Sequence, residues 1–194
     1  MKKLVLATVL ASMVGIASAA GPYASITVDE KDKLNSAEIH KVYGLNVGQK
    51  FSNGVGVEVR MEDEKVDKGD GTQKQEGLVQ TKVSYDITTG TFVTPYVAAA
   101  LGHKNKATLD FDFWLAEVGV KANLGDASVR YGFRRRTALD NNTTNAYDTN
   151  EQTVALGYNL TKTDAISIAY KQERRNDSVS SEYNTKGIYY TRSF

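Results

Sequence analysis

The sequence predicts an all-β chain that closes into a transmembrane antiparallel up-and-down β-barrel of about ten strands, with twelve or eight as the neighbouring counts. Three observations carry this. Segment after segment alternates apolar and polar residues, the period of a strand whose two faces meet different surroundings. The composition, with 16 glycines, 11 tyrosines and 2 prolines, suits strands and turns better than helices. After residue 19 no segment is apolar for long enough to cross a bilayer as a helix, so a membrane crossing would have to be made by strands.

The chain opens Met1-Lys2-Lys3, runs apolar from Leu4 to Ile16 and continues Ala17-Ser18-Ala19. Charged start, apolar middle and small-residue end make residues 1–19 a secretory signal peptide, leaving residues 20–194 as one barrel domain. There is no cysteine, so neither a disulfide nor a lipidated thiol can hold the exported chain. Loss of Lys2 and Lys3 moves the formal charge from +1 to −1, a balance that argues against nucleic acid as a partner.

The first strand, Tyr23–Asp29, sets Ala24, Ile26 and Val28 against Ser25 and Thr27, and a charged loop from Glu30 to Ser36 follows. The second, about Ala37–Gly48, places Tyr43, Leu45 and Val47 opposite His40, Gly44, Asn46 and Gly48. Phe51-Ser52-Asn53-Gly54 then turns the chain, since Asn-Gly between alternating runs is a strong hairpin signal. The third strand has Val55, Val57, Val59 and Met61 on one face and Gly56, Glu58, Arg60 and Glu62 on the other. A polar loop, Asp63 to Lys74, leads to the fourth, with Val79, Thr81, Val83, Tyr85 and Ile87 opposite Gln80, Lys82, Ser84 and Asp86.

Thr88-Thr89-Gly90 returns the chain into the fifth strand, Thr91–Gly102, where Pro95 and a run of alanines leave the two faces undistinguished. The loop His103–Asp110 precedes a sixth strand, Phe111–Leu124, that alternates Trp114, Ala116, Val118, Val120 and Ala122 with Leu115, Glu117, Gly119, Lys121 and Asn123. Gly125-Asp126 turns into the seventh, where Ala127, Val129, Tyr131 and Phe133 oppose Ser128, Arg130, Gly132, Arg134 and Arg136. After the loop Thr137–Asn150, the eighth strand turns Gln152, Val154, Leu156, Tyr158 and Leu160 outward, and the ninth Ile166, Ile168 and Tyr170. A last loop, Arg174–Glu182, leads to Tyr183–Phe194.

One strand alone is compatible with a soluble sheet, whose apolar face would meet a core. The connections decide the matter, because the odd-to-even ones read as long and polar and the even-to-odd ones as short turns. That asymmetry belongs to outer-membrane barrels, with strands apolar outside and polar inside. The apolar faces therefore meet lipid, with Tyr43, Tyr85, Tyr131, Tyr158 and Tyr170 as interfacial anchors. The lumen receives the bases Arg60, Lys82, Lys121, Arg130, Arg134, Arg136 and Lys171 and the acids Glu58, Glu62, Asp86, Glu117 and Glu173. A terminal Phe194 on the last strand resembles the assembly signal of bacterial outer-membrane barrels and would be read by the barrel-assembly machinery.

Two segments carry a family resemblance. Lys50-Phe51-Ser52-Asn53-Gly54-Val55-Gly56 is similar to the first tight turn of the oligogalacturonate-specific, KdgM-like porins, and Ala127-Ser128-Val129-Arg130-Tyr131-Gly132-Phe133-Arg134-Arg135-Arg136 to their basic strand. The likeness runs loosely from Ala24 to about Glu173, and the family has twelve strands where this chain reads as ten. It implies a monomeric outer-membrane channel for acidic oligosaccharides.

Two expectations for the lumen follow. Guanidinium and ammonium groups lining a pore would favour small anionic solutes. Alternatively, acids and bases on neighbouring strands pair and plug it, giving a structural or adhesive barrel, because narrow barrels tend to be filled by side chains. No enzyme is expected: His40 and His103 are the two histidines, and neither belongs to a recognisable nucleophile, base and acid set. Neither metal nor cofactor is expected. Asp67-Lys68-Gly69-Asp70-Gly71 looks like part of a calcium loop but lacks the downstream glutamate, and reads as a turn.

Overall fold

A computed structural model describes residues 21–106, 110–139, 147–175 and 181–194; the signal peptide read at 1–19 lies outside them. Ten strands follow in sequence: β1 (Pro22–Lys33), β2 (Ile39–Lys50), β3 (Val55–Asp67), β4 (Gln73–Asp86), β5 (Val93–Asn105), β6 (Asp110–Leu124), β7 (Ala127–Ala138), β8 (Thr149–Asn159), β9 (Asp164–Arg175) and β10 (Glu182–Ser193). Each pairs antiparallel with its chain neighbours, and β1 pairs with β10 from Tyr23↔Ser193 to Lys33↔Tyr183, closing the barrel. Closure matters physically, because it leaves no edge whose amides would stand unpaired in hydrocarbon.

Burial follows the sequence period. Along β1, Ser25, Thr27, Asp29 and Lys31 are buried while Ile26 and Val28 are 59% and 49% exposed. Exposed Leu45, Val83, Val97, Leu101, Val118, Leu156, Ile168 and Ile188 continue the apolar band around the outside. A polar inside and an apolar outside invert the arrangement of a soluble protein, and hydrocarbon is the surrounding that makes such an exterior favourable. All five expected anchors, Tyr43, Tyr85, Tyr131, Tyr158 and Tyr170, stand exposed on this outer face.

The turns read from sequence form as expected. At 51–54 the Phe51 amide donates to the Val55 carbonyl at 2.8 Å, and Gly54 takes φ +89°, a conformation that a side chain would strain. In the turn at 68–72, Asp67 accepts from the Gly69 amide (2.9 Å) and Asp70 from the Thr72 amide (2.8 Å), so these carboxylates serve the backbone.

The polar stretches read as long loops are partly strand. The ladder continues through Asp63–Asp67 and Gln73–Glu76, and the odd-to-even connections shrink to 34–38, 68–72, 106–109, 139–148 and 176–181. The even-to-odd ones are 51–54, 87–92, 125–126 and 160–163, so 87–92 exceeds 68–72 and the length asymmetry is weaker than the sequence suggested. Polarity marks where the apolar band stops; pairing of amides runs on past it, since backbone hydrogen bonding is indifferent to side-chain polarity. Below, the barrel end bearing the odd-to-even connections is the loop end, and the other the turn end.

β5 resolves the faces that alanines had obscured: Tyr96, Ala100 and Lys104 are buried inside, and Val97 and Leu101 face out at 43% and 65% exposure. Pro95 lies one residue before the first registered β4 partner, Tyr96↔Asp86, and its carbonyl accepts from the Ile87 amide at 2.8 Å. At the loop end the lumen is partly apolar. Phe111, Phe113 and Leu115 of β6 join Leu78 and Ala100 in a buried cluster, and Tyr147 stacks on Phe111 with ring centroids 4.9 Å apart. Each such side chain contributes about 1.5–3 kcal/mol by burial.

Candidate functional site: the ion-paired lumen

Strand alternation turns toward the axis every base and acid assigned to the lumen from sequence, and all twelve are buried or half-buried. What alternation could not supply is their partners. Glu58 meets Lys82 at 2.8 Å, directly opposite on the next strand, and Arg134 meets Glu151 at 2.5 Å in the same way. Arg60 pairs with Glu62 on its own strand, and Arg130 with Glu117 diagonally. The rest reach over an intervening strand. Lys31 holds Glu173 at 2.9 Å and Lys171 holds Asp29 at 2.6 Å across β10, Lys104 holds Glu64 at 2.5 Å across β4, and Lys121 holds Asp86 at 2.7 Å across β5. The sequence had suggested pairing between neighbouring strands; in a narrow cylinder, long lysines span the chord just as readily.

The lattice has two differently built halves. Toward the turn end, tyrosines knit the charges. The Tyr96 hydroxyl donates to Glu117 (2.7 Å) and accepts from Arg130 Nε (2.8 Å), while the Tyr23 hydroxyl donates to Glu58 at 2.8 Å. Tyr96 fits there because Gly119 and Gly132 face each other on β6 and β7, and a Cβ on either would collide with its ring or hydroxyl. Asp86 closes this end by accepting from both Lys121 and Lys50.

Toward the loop end, the groups share partners. Glu173 contacts Lys31 and, at 3.4 Å, Arg175; Lys104 contacts Glu64 and, at 3.3 Å, Glu76. His40 is 2% exposed, with Nδ1 2.5 Å from Glu64 and Nε2 2.7 Å from Glu38. Tyr183 offers its ring to Lys31 (4.4 Å) and Arg175 (4.3 Å), with His40 edge-on at 5.6 Å. Asp29, Lys31, Glu64, Lys104 and Glu151 were missing from the sequence-derived set because they fell in or beside stretches read as loops. Extending the alternation of β1, β3, β5 and β8 by two to four residues would have found them.

Two cavities remain inside. One of about 60 Å³ occupies the loop-end half and one of about 130 Å³ the turn-end half. Arg60, Gln80, Arg134, Glu151 and Lys171 line both, so the two cavities adjoin at their level. A water's share of liquid is about 30 Å³, so this is room for a few molecules, whereas pockets for drug-sized solutes measure roughly 300–1,000 Å³.

His103 lies on the outer side of β5, with Nδ1 2.8 Å from Asp112 on β6. Among the described residues no group of three or more histidine, cysteine, aspartate or glutamate side chains is arranged to hold a metal.

No protein-family model matches the chain, and no curated protein matches it. Solved structures do share its fold. An outer membrane channel from Pseudomonas putida F1 is 10% identical with a TM-score of 0.61, over 92% of this chain and 97% of its own. The NanC porin is 12% identical with a TM-score of 0.52, over 87% and 100% of the two chains. The KdgM porin in complex with disordered oligogalacturonate is 12% identical with a TM-score of 0.50, over 88% and 99%. Likeness at this identity is one of fold: it carries the porin-like barrel architecture and does not extend to the KdgM-like family suggested by the two sequence segments.

Proposed function

We propose that this chain is an outer-membrane barrel of structural or surface-presenting type, whose lumen is closed to solutes by its own ion pairs. The observation that carries this reading is the small free space in the lumen, adjoining cavities of about 60 and 130 Å³ that are both lined by Arg60, Gln80, Arg134, Glu151 and Lys171. Opening a passage would separate pairs such as Arg134 with Glu151 and Lys171 with Asp29, whose acids are 8% and 4% exposed. Leaving a buried charge without its partner costs about 3–5 kcal/mol. The apolar exterior and outward tyrosines support bilayer residence. The barrel acts as a monomer, its outside committed to lipid.

A second reading, a narrow channel for small anionic solutes such as acidic oligosaccharides, is favoured by one observation: Arg60, Arg130, Arg134, Lys82 and Lys171 all line the larger cavity. Planar-bilayer recording separates the two. The closed reading expects a correctly folded, heat-modifiable protein that gives no stepwise openings, and expects Glu151→Gln to produce openings by releasing Arg134. Wild-type openings with an anion preference that falls in Arg130→Ala/Arg134→Ala overturn it in favour of the channel. Recovery of the mature protein from the periplasm without detergent would remove both.

A further inference from the structure

The loop-end cavity is lined by six basic and five acidic side chains. Five of those bases are matched one to one by the pairs Lys31 with Glu173, Arg60 with Glu62, Lys104 with Glu64, Arg134 with Glu151, and Lys171 with Asp29. Arg136 is left over. It is 8% exposed, forms no ion pair with any described carboxylate, and its Nε is buried without a hydrogen-bond partner. Its guanidinium carbon lies 5.6 Å from the centroid of the Phe113 ring.

Nor can the nearby acids be redirected. Glu173 already serves Lys31 and Arg175, and Glu64 serves Lys104 and His40. The surroundings add further positive charge. Lys106, at the loop end with its ammonium 4.7 Å from the Tyr147 ring centroid, is pushed down to about 7 by burial and by the charges of Arg175 and Lys104. A buried guanidinium with an empty donor and no carboxylate in contact is costly, and an anion from solution relieves that cost.

We infer that Arg136 holds a small carboxylate in the loop-end cavity. The guanidinium fork matches a planar carboxylate better than a spherical ion. The opposite requirement, an apolar wall for the rest of the anion, is met by Leu78 and Leu115, which line the same cavity. A volume of about 60 Å³ restricts the guest to acetate-like size. The guest is held by Arg136 at one end of the lumen and need not pass along the barrel, so silence in bilayer recordings leaves the proposal standing.

The experiment refolds the mature barrel in zwitterionic micelles and measures the urea midpoint against acetate concentration at constant ionic strength. Any species bound only by the folded state raises that midpoint by mass action, so diffusion into a finished barrel is not required. Wild type is expected to show a saturable rise. Arg136→Lys, which keeps the charge and loses the fork, should need about tenfold more acetate, Arg136→Met should show no rise, and Arg135→Met on the outer face should match wild type. A flat wild-type response overturns the proposal, as does an equal rise in Arg136→Met. Chloride acting as strongly as acetate overturns the carboxylate class. A rise that emerges only with Asp140→Asn or Asp177→Asn identifies a counter-ion within the chain and overturns it too.

Discussion

The two halves of the lumen handle the same problem, charge without bulk water, in different ways. At the turn end most pairs are discrete: Lys82 with Glu58 and Arg130 with Glu117 are each finished by a tyrosine hydroxyl, while Asp86 takes both Lys121 and Lys50. At the loop end Glu173, Glu64 and Lys104 each serve two partners, and the apolar cluster around Phe111 and Phe113 takes the other side of the lumen. Discrete pairs are locally replaceable. A shared network concentrates its stability in few carboxylates, because losing one leaves several cations exposed to low dielectric at once.

The strongest way to break the contrast is Glu173→Gln. Glu173 is 6% exposed and faces both Lys31 and Arg175, so the substitution should destabilise the barrel by about 3–5 kcal/mol, read as a lower urea midpoint in micelles. At the turn end, Tyr96→Phe removes a hydroxyl that bridges Arg130 and Glu117 while leaving their direct ion pair. The expected loss is about 0.5–1.5 kcal/mol in the same assay. If Tyr96→Phe proves the more damaging, the network at the loop end is not where stability concentrates.

The third prediction concerns pH. Lys106 in the folded chain titrates at about 7, because burial and the neighbouring Arg175 and Lys104 disfavour its charge, while its unfolded value stays near the ordinary 10.5. Between those values the unfolded chain binds the extra proton, so stability should rise with pH from about 7 upward, the penalty being fully present below 7. In Lys106→Met the urea midpoint should rise less over that interval and exceed wild type at pH 6. An identical pH profile in the two proteins would show that Lys106 is not held in this environment.

The smallest effect belongs outside the lumen. Arg174 and Glu182 pair across β9 and β10 with side chains 69% and 41% exposed, so Glu182→Gln should cost less than about 1 kcal/mol, within the range of exposed pairs. A loss as large as that of Glu173→Gln would mean that burial is not what separates the two sites.

Period-2 alternation is a local property, and it sufficed to sort Val129, Tyr131 and Phe133 onto one face and Arg130, Arg134 and Arg136 onto the other; which face is outside was read from the connections between strands. It also counted the ten strands, since each apolar-polar run is separated from the next by turn residues. The alternation failed to locate strand ends. Asp63–Asp67 and Gln73–Lys74 look like loop because they are polar, yet their amides pair as regularly as those of the apolar band.

The sequence by itself therefore determined the wall of this protein: all-β, ten strands, apolar outside, charged inside. Only the tertiary structure decided which charges meet. Whether Lys31 finds Glu173, or Lys104 finds Glu64, depends on closure bringing alternate strands within a lysine's reach, and no spacing along the chain encodes that distance. The leftover cation is a consequence of the same geometry. Arg136 is one of three arginines on one strand face, and it became the unpaired one because its height in the barrel sets it over Phe113, where the nearest acids already serve other bases.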